Sequence, residues 1–130
     1  MLAGGCYCGA VRYEASGTPR DQGVCHCRIC RRTTGAPMVA WFTVDADGFR
    51  FVRGEPRSFH STPDATRRFC GECGAQLTFE AIAGEVDVTI ASLDDPNAVA
   101  PHSEIWTESR LLWMDLVNRL PRHPQRRTSD

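Results

Sequence analysis

The run Thr66-Arg67-Arg68-Phe69-Cys70-Gly71-Glu72-Cys73-Gly74-Ala75-Gln76-Leu77-Thr78-Phe79-Glu80 decides what kind of fold this chain adopts. Two short β-prone runs, Thr66–Phe69 and Gln76–Glu80, flank two cysteines that are separated by two residues and followed by glycine. Such a segment reads as a knuckle, a tight turn aiming two sulfurs at one metal ion, with Gly71 and Gly74 supplying the backbone freedom. Working outward, the strand pattern recurs. Ala10–Ala15 alternates, Met38–Val44 is apolar and β-branched, Phe49–Arg53 and Arg57–Ser61 alternate, and Glu85–Ile90 continues the series. Turn signals separate them at Ser16–Pro19, Asp45–Gly48 and Pro63-Asp64. Strands at intervals of roughly 8–12 residues with turns between them predict a mainly β, antiparallel domain. Helix is limited to short turns, and the one candidate, Arg28–Arg32, is stopped by Gly35 and Pro37. The expected organisation is one zinc-binding domain over residues 1–120 and a mobile tail over residues 121–130.

Composition narrows the function. The chain has 130 residues, 42% hydrophobic and 24% charged, enough for a single core. Basic and acidic residues nearly balance, 15 against 16, so no long-range field selects nucleic acid or an anionic membrane. Every basic residue is arginine, which removes lysine Schiff-base and P-loop lysine chemistry. No apolar run is long enough to span a bilayer, and the amino end lacks the regions of a secretion signal. A cytoplasmic protein is expected.

Seven cysteines cannot all pair within one chain, and their clustering points to metal instead. They fall as Cys6 and Cys8, as Cys25, Cys27 and Cys30, and as Cys70 and Cys73. A structural zinc takes four ligands. The third cluster supplies two, and Cys6 and Cys8, again followed by glycine, supply two more. That leaves Cys25, Cys27 and Cys30, which cover one face of a second zinc and leave a position open, the arrangement of catalytic zinc. A fourth protein ligand would close this site instead, with His26, His102 and Glu104 as candidates. Three thiolates make zinc a weak activator of water but a good holder of a substrate thiol.

These residues resemble the glutathione-dependent formaldehyde-activating enzymes, grouped with centromere protein V. The resemblance runs from about Gly5 to Leu116. It rests on Gly5-Cys6-Tyr7-Cys8-Gly9, on Cys25-His26-Cys27-Arg28-Ile29-Cys30-Arg31-Arg32 with Thr34-Gly35-Ala36-Pro37, and on Phe69-Cys70-Gly71-Glu72-Cys73-Gly74. Ser92-Leu93-Asp94-Asp95-Pro96, Ile105-Trp106 and Trp113 agree as well. It implies a β-tent-like fold, a structural zinc on Cys6, Cys8, Cys70 and Cys73, and a catalytic zinc on Cys25, Cys27 and Cys30. The implied activity is that of a carbon–sulfur lyase of the S-(hydroxymethyl)glutathione synthase type, adding the thiolate of glutathione or another small thiol to formaldehyde. Glutathione carries two carboxylates, for which Arg28, Arg31 and Arg32 are the candidate clamp, Arg31 first because it directly follows a ligand. Trp41, Trp106 and Trp113 either wall the cleft or pack in the core. Many members carry a histidine just before the Ile-aromatic pair, where this chain has Glu104. No residue stands out as general acid or base. Two other readings stay open: a scaffold with both zincs structural, and a redox-sensing thiol protein.

Overall fold

The computed structural model describes residues 1–127. Ten strands form in chain order: β1 (Leu2–Gly5), β2 (Arg12–Ala15), β3 (Arg20–Cys25), β4 (Val39–Asp45), β5 (Phe49–Arg53), β6 (Arg57–Thr62), β7 (Ala65–Phe69), β8 (Gln76–Glu80), β9 (Glu85–Thr89) and β10 (Ser103–Ile105). They make a three-stranded sheet in the order β1-β2-β5 and a seven-stranded sheet in the order β10-β3-β4-β9-β8-β7-β6. The core lies between them. Strand alternation sends Phe42, Val44, Val86 and Val88 of the large sheet towards Tyr13 and Ala15 of the small one, and all six are buried. Tyr13 stacks on Phe49 at 5.3 Å between ring centroids, and its hydroxyl meets Ser92 Oγ at 2.7 Å, so its polar end is satisfied inside.

The fold is mainly β, as the strand spacing predicts, with one difference. β10 pairs with β3 in parallel, Glu104 opposite Val24, while every other strand pair is antiparallel. β10 returns along the irregular stretch 90–102, and a long connection does not impose the reversal that a hairpin does.

The helical turn expected at Arg28–Arg32 is α1 (Arg28–Thr34), seven residues long. Its N-cap is Cys27, whose sulfur accepts the Cys30 amide at 3.2 Å, and Gly35 closes it with φ 75° and an amide bonded to the Arg31 carbonyl. Short 3₁₀ turns follow late in the chain, the longest over Leu112–Arg119. Residues 121–127 are exposed and carry no helix or strand, and residues 128–130 of the expected tail lie outside the described residues. No described helix is long and apolar enough to cross a membrane.

Candidate metal centre

Two knuckles face each other. In the first, Cys6 accepts the Val11 amide on its sulfur at 3.2 Å, and Gly9 turns the chain at φ 80°. In the second, the Cys70 sulfur accepts the amides of Glu72 and Cys73 at 3.3 and 3.5 Å, and Gly74 turns at φ 79°. The four sulfurs lie within 4.8 Å of one another, with Cys8 3.7 Å from both Cys6 and Cys70. A regular tetrahedron with Zn–S near 2.3 Å places its sulfurs about 3.8 Å apart, whereas a disulfide would need about 2.05 Å. All seven cysteines are free thiols. The donor set therefore fits a tetrahedral thiophilic ion without rearrangement.

The second set gathers Cys25, Cys27 and Cys30, also within 4.8 Å of one another. Cys25 ends β3, while Cys27 and Cys30 sit on either side of the first turn of α1, so helix capping and sulfur placement are one event. The thiols divide their charge unequally. Cys30 is pulled down to about 5, first by a hydrogen bond from Cys25 and then, against burial, by Cys27 and the Arg67 guanidinium. Cys25 is pushed up, first by that same bond and then by burial. Crowded thiols thus ionise one at a time, and a cation between them lets the rest follow.

No other histidine or carboxylate among the described residues joins this trio. The three candidate fourth ligands are engaged or distant. The His26 ring is fully buried with Nε2 2.9 Å from Glu104 Oε1, while its backbone amide donates to the Ile105 carbonyl at 3.1 Å. Glu104 therefore serves as the partner that orients this imidazole, and Arg110 approaches the same carboxylate at 3.6 Å. His102 is exposed and donates its amide to the Gln22 carbonyl.

The trio opens instead into a cleft of about 440 Å³. The cleft is the outer face of the large sheet. Its register sets Arg67 opposite Phe79, Phe79 opposite Asp87, Asp87 opposite Thr43, and Trp41 opposite Gly23, and all six line the cleft. Ile105 and Trp106 complete the wall from β10. Two non-glycine residues hold left-handed backbone, Asp21 at φ 53° and Trp106 at φ 56°, and both line this cleft. For a bulky residue such a conformation costs about 1–3 kcal/mol, so packing elsewhere holds Trp106 over the mouth. A larger concavity of about 810 Å³ touches Cys6 and Cys73, but its charged groups Arg12 and Asp94 satisfy each other at 2.8 and 2.5 Å. The smaller cleft is the one that holds the three-sulfur set.

A family model described as glutathione-dependent formaldehyde-activating enzyme matches residues 1–109. The chain belongs to this family. A Halomonas elongata protein bearing the family's name is 29% identical, over 92% of this chain and 83% of its own. A crystal structure of a Rhodobacter sphaeroides protein superposes with a TM-score of 0.63 at 28% identity, covering 78% of this chain and 98% of that one. The family is named for an enzyme that activates formaldehyde with glutathione.

Against the sequence reading, the sulfurs group in space as their spacing groups them, and Trp41 and Trp106 line the cleft while Trp113 does not. The expected carboxylate clamp lies elsewhere. Arg28 and Arg32 are exposed on α1, and Arg31 is half-buried with its Nε enclosed and unpartnered; none of the three lines the cleft. Its arginine is Arg67, and its buried-side carboxyl is Asp87, neither of which composition or spacing singled out. One signal existed. Neighbouring strand residues point opposite ways, so one of Arg67 and Arg68 had to lie on the outer, cleft face of the sheet, and Asp87 between Val86 and Val88 had to face away from the core.

Proposed function

We propose that this family member is a zinc-dependent carbon–sulfur lyase that joins glutathione, or a related small thiol, to formaldehyde. The observation that carries the reading is the contrast between the two sulfur sets. Four sulfurs close one site, while three at the base of a walled cleft leave theirs open towards solvent. Cys6, Cys8, Cys70 and Cys73 would hold a structural zinc, and Cys25, Cys27 and Cys30 a catalytic one. Bound at the three-cysteine site, zinc supplies a thiophilic fourth position where a thiol is held as its thiolate.

The chain's own groups account for the rest. In the synthetic direction the thiol sulfur adds to the carbonyl carbon, the carbonyl pair moves to oxygen, and that oxygen takes a proton. Asp87 is the proton donor in this reading. Burial, first of all, pushes its carboxyl above the ordinary value, and Thr43 Oγ1 donates to its Oδ1 at 2.5 Å and fixes its rotamer. Trp41, Phe79 and Trp106 wall the cleft and limit water around the reacting carbon. Arg31, which directly follows Cys30 on α1, is the group we assign to a substrate carboxylate reaching past the cleft. Free thiols throughout support a reducing compartment, the cytoplasm, as the site of action.

The test is exchange between free and thiol-bound ¹³C-formaldehyde, followed by NMR with glutathione present. Protein carrying two zincs per chain should accelerate the exchange over glutathione alone, and Cys30→Ser should remove the acceleration. Zinc-replete wild-type protein that leaves the spontaneous rate unchanged overturns the reading.

A further inference from the structure

Arg67 on β7 is buried, with 4% of its surface exposed, yet no carboxylate among the described residues lies within 4.0 Å of its guanidinium. A buried charge without a counter-charge is strongly disfavoured, so its partner must be found among what it touches. It touches sulfur. Nη1 and Nη2 straddle Cys30 Sγ at 3.8 and 3.7 Å. The rest of the group is locked in place: Nε donates to Ser61 Oγ at 3.1 Å, Nη1 to Thr33 Oγ1 at 3.5 Å, and the guanidinium carbon lies 4.6 Å from the Phe79 ring centroid. β6, α1 and β8 thus each hold one side of a fork whose open end grips a single cysteine.

We propose that Arg67 is a positioning residue that makes Cys30 a poor nucleophile, so that an aldehyde in the cleft reacts with the substrate's sulfur and not with the protein's. The proposal rests on the reading of the three-cysteine set as an open zinc site. Three thiolates and one divalent ion sum to a formal charge of −1, which the guanidinium brings to zero. Around such a site four sulfurs would meet the aldehyde, three from the chain and one from the substrate. Two of those from the chain carry donors: the Cys30 amide on Cys27 and the charged fork on Cys30. A lone pair engaged by a donor is less available for attack, and a charged donor engages it most strongly. A substrate sulfur entering from the cleft would find the same guanidinium already directed at Cys30, Ser61 and Thr33. The reaction so prevented is addition of Cys30 to formaldehyde: a carbon–sulfur bond forms, the carbonyl pair moves to oxygen, and the oxygen takes a proton from water. It would turn a ligand into a hydroxymethyl thioether.

The test uses iodoacetamide, because it marks the same nucleophilicity irreversibly: the sulfur–carbon bond forms and iodide leaves. Zinc-loaded wild-type and Arg67→Gln proteins are alkylated for short times, and each cysteine is quantified by peptide mass spectrometry. Alkylation of Cys30 should rise about tenfold or more in the variant, the factor expected for loss of a charged hydrogen bond. Cys6, Cys8, Cys70 and Cys73 should keep their wild-type rates. Arg67→Lys keeps the charge without the fork and should give a smaller rise at the same residue, which also serves if Arg67→Gln does not fold. An unchanged Cys30 rate overturns the proposal, and so does an equal rise at all seven cysteines, because Arg67 would then only hold the fold. The underlying reading is tested separately, by zinc content and by the sulfur-to-cobalt band that 2-mercaptoethanol should add to cobalt-substituted wild-type protein. Failure there removes the open site itself, whatever the alkylation pattern.

Discussion

Asp87 shows how a single residue is placed by its strand and tuned by its surroundings. Val86 and Val88 on either side belong to the core, so alternation along β9 turns Asp87 onto the cleft face. There burial raises its pKa above 3.8; the Thr43 bond opposes this, Glu85 and Asp21 reinforce it, and Arg20 opposes it weakly. The sign of the pH dependence follows. A carboxyl whose pKa is raised by folding binds its proton more tightly in the native state. Its contribution to stability is complete below the unfolded value and is lost as the pH rises through the folded one. Above that point the ionised carboxylate is a cost that Asn would not carry, while the Asn carbonyl still accepts from Thr43. Asp87→Asn should therefore melt above wild type wherever the pH leaves the wild-type carboxyl ionised, with the gain shrinking towards zero as the pH falls below about 4. The same variant should slow hemithioacetal formation by about 10²–10⁴-fold, the usual worth of a proton donor. Calorimetry across the pH range with exchange NMR checks both, and an unchanged rate would remove Asp87 from the mechanism.

Elements whose own residues alternate or are β-branched were readable in the chain: β2, β4, β5, β6, β7, β8 and β9 all coincide with such runs. β1, β3 and β10 were not. Leu2-Ala3-Gly4-Gly5 and Arg20-Asp21-Gln22-Gly23 are poor strand formers, and they become strands because partners across the sheet take up their backbone groups. Gly4 shows why a weak strand former is needed, since a Cβ there would collide with the Tyr13 side chain and the Ser92 carbonyl. Gly23 has a similar part beside the cleft. A Cβ on it would come within 2.9 Å of Ser103 Oγ and 3.0 Å of the Ser103 carbonyl oxygen, so β10 reaches β3 only across a bare position. Gly23→Ala should push β10 outward and carry Ile105 and Trp106 with it, at about 1–3 kcal/mol of stability, the ordinary cost of overpacking. Substrate affinity should fall more than turnover, because the wall moves while the sulfur trio stays on β3 and α1. Denaturant unfolding and the split between KM and kcat read the two effects. A loss confined to kcat would mean that β10 does not form part of the substrate wall.

At the scale of the whole molecule, the four-sulfur set is a pin between sheets. Cys6 and Cys8 lie between β1 and β2 of the small sheet, Cys70 and Cys73 between β7 and β8 of the large one. This much of the site was readable because ligand number and spacing are properties of the chain itself. The cleft was not, because Arg67, Asp87 and Trp106 become neighbours only through sheet register and one parallel pairing. The three-sulfur set pins nothing comparable, since Cys25, Cys27 and Cys30 are already joined by a few bonds of local chain. On the two-zinc reading proposed above, the ions should therefore leave differently. A structural zinc contributes about 10–16 kcal/mol in small folded units, as much as the whole stability of a domain this size, about 5–15 kcal/mol. Stepwise chelation should release one zinc per chain with the far-ultraviolet spectrum unchanged, and the second only together with loss of the β signal. Cys30→Ser should abolish the early step and keep the late one, whereas Cys73→Ser should yield little folded protein. Release of both ions in a single step with unfolding would show that the second is structural as well. It would move the reading from an enzyme to a scaffold.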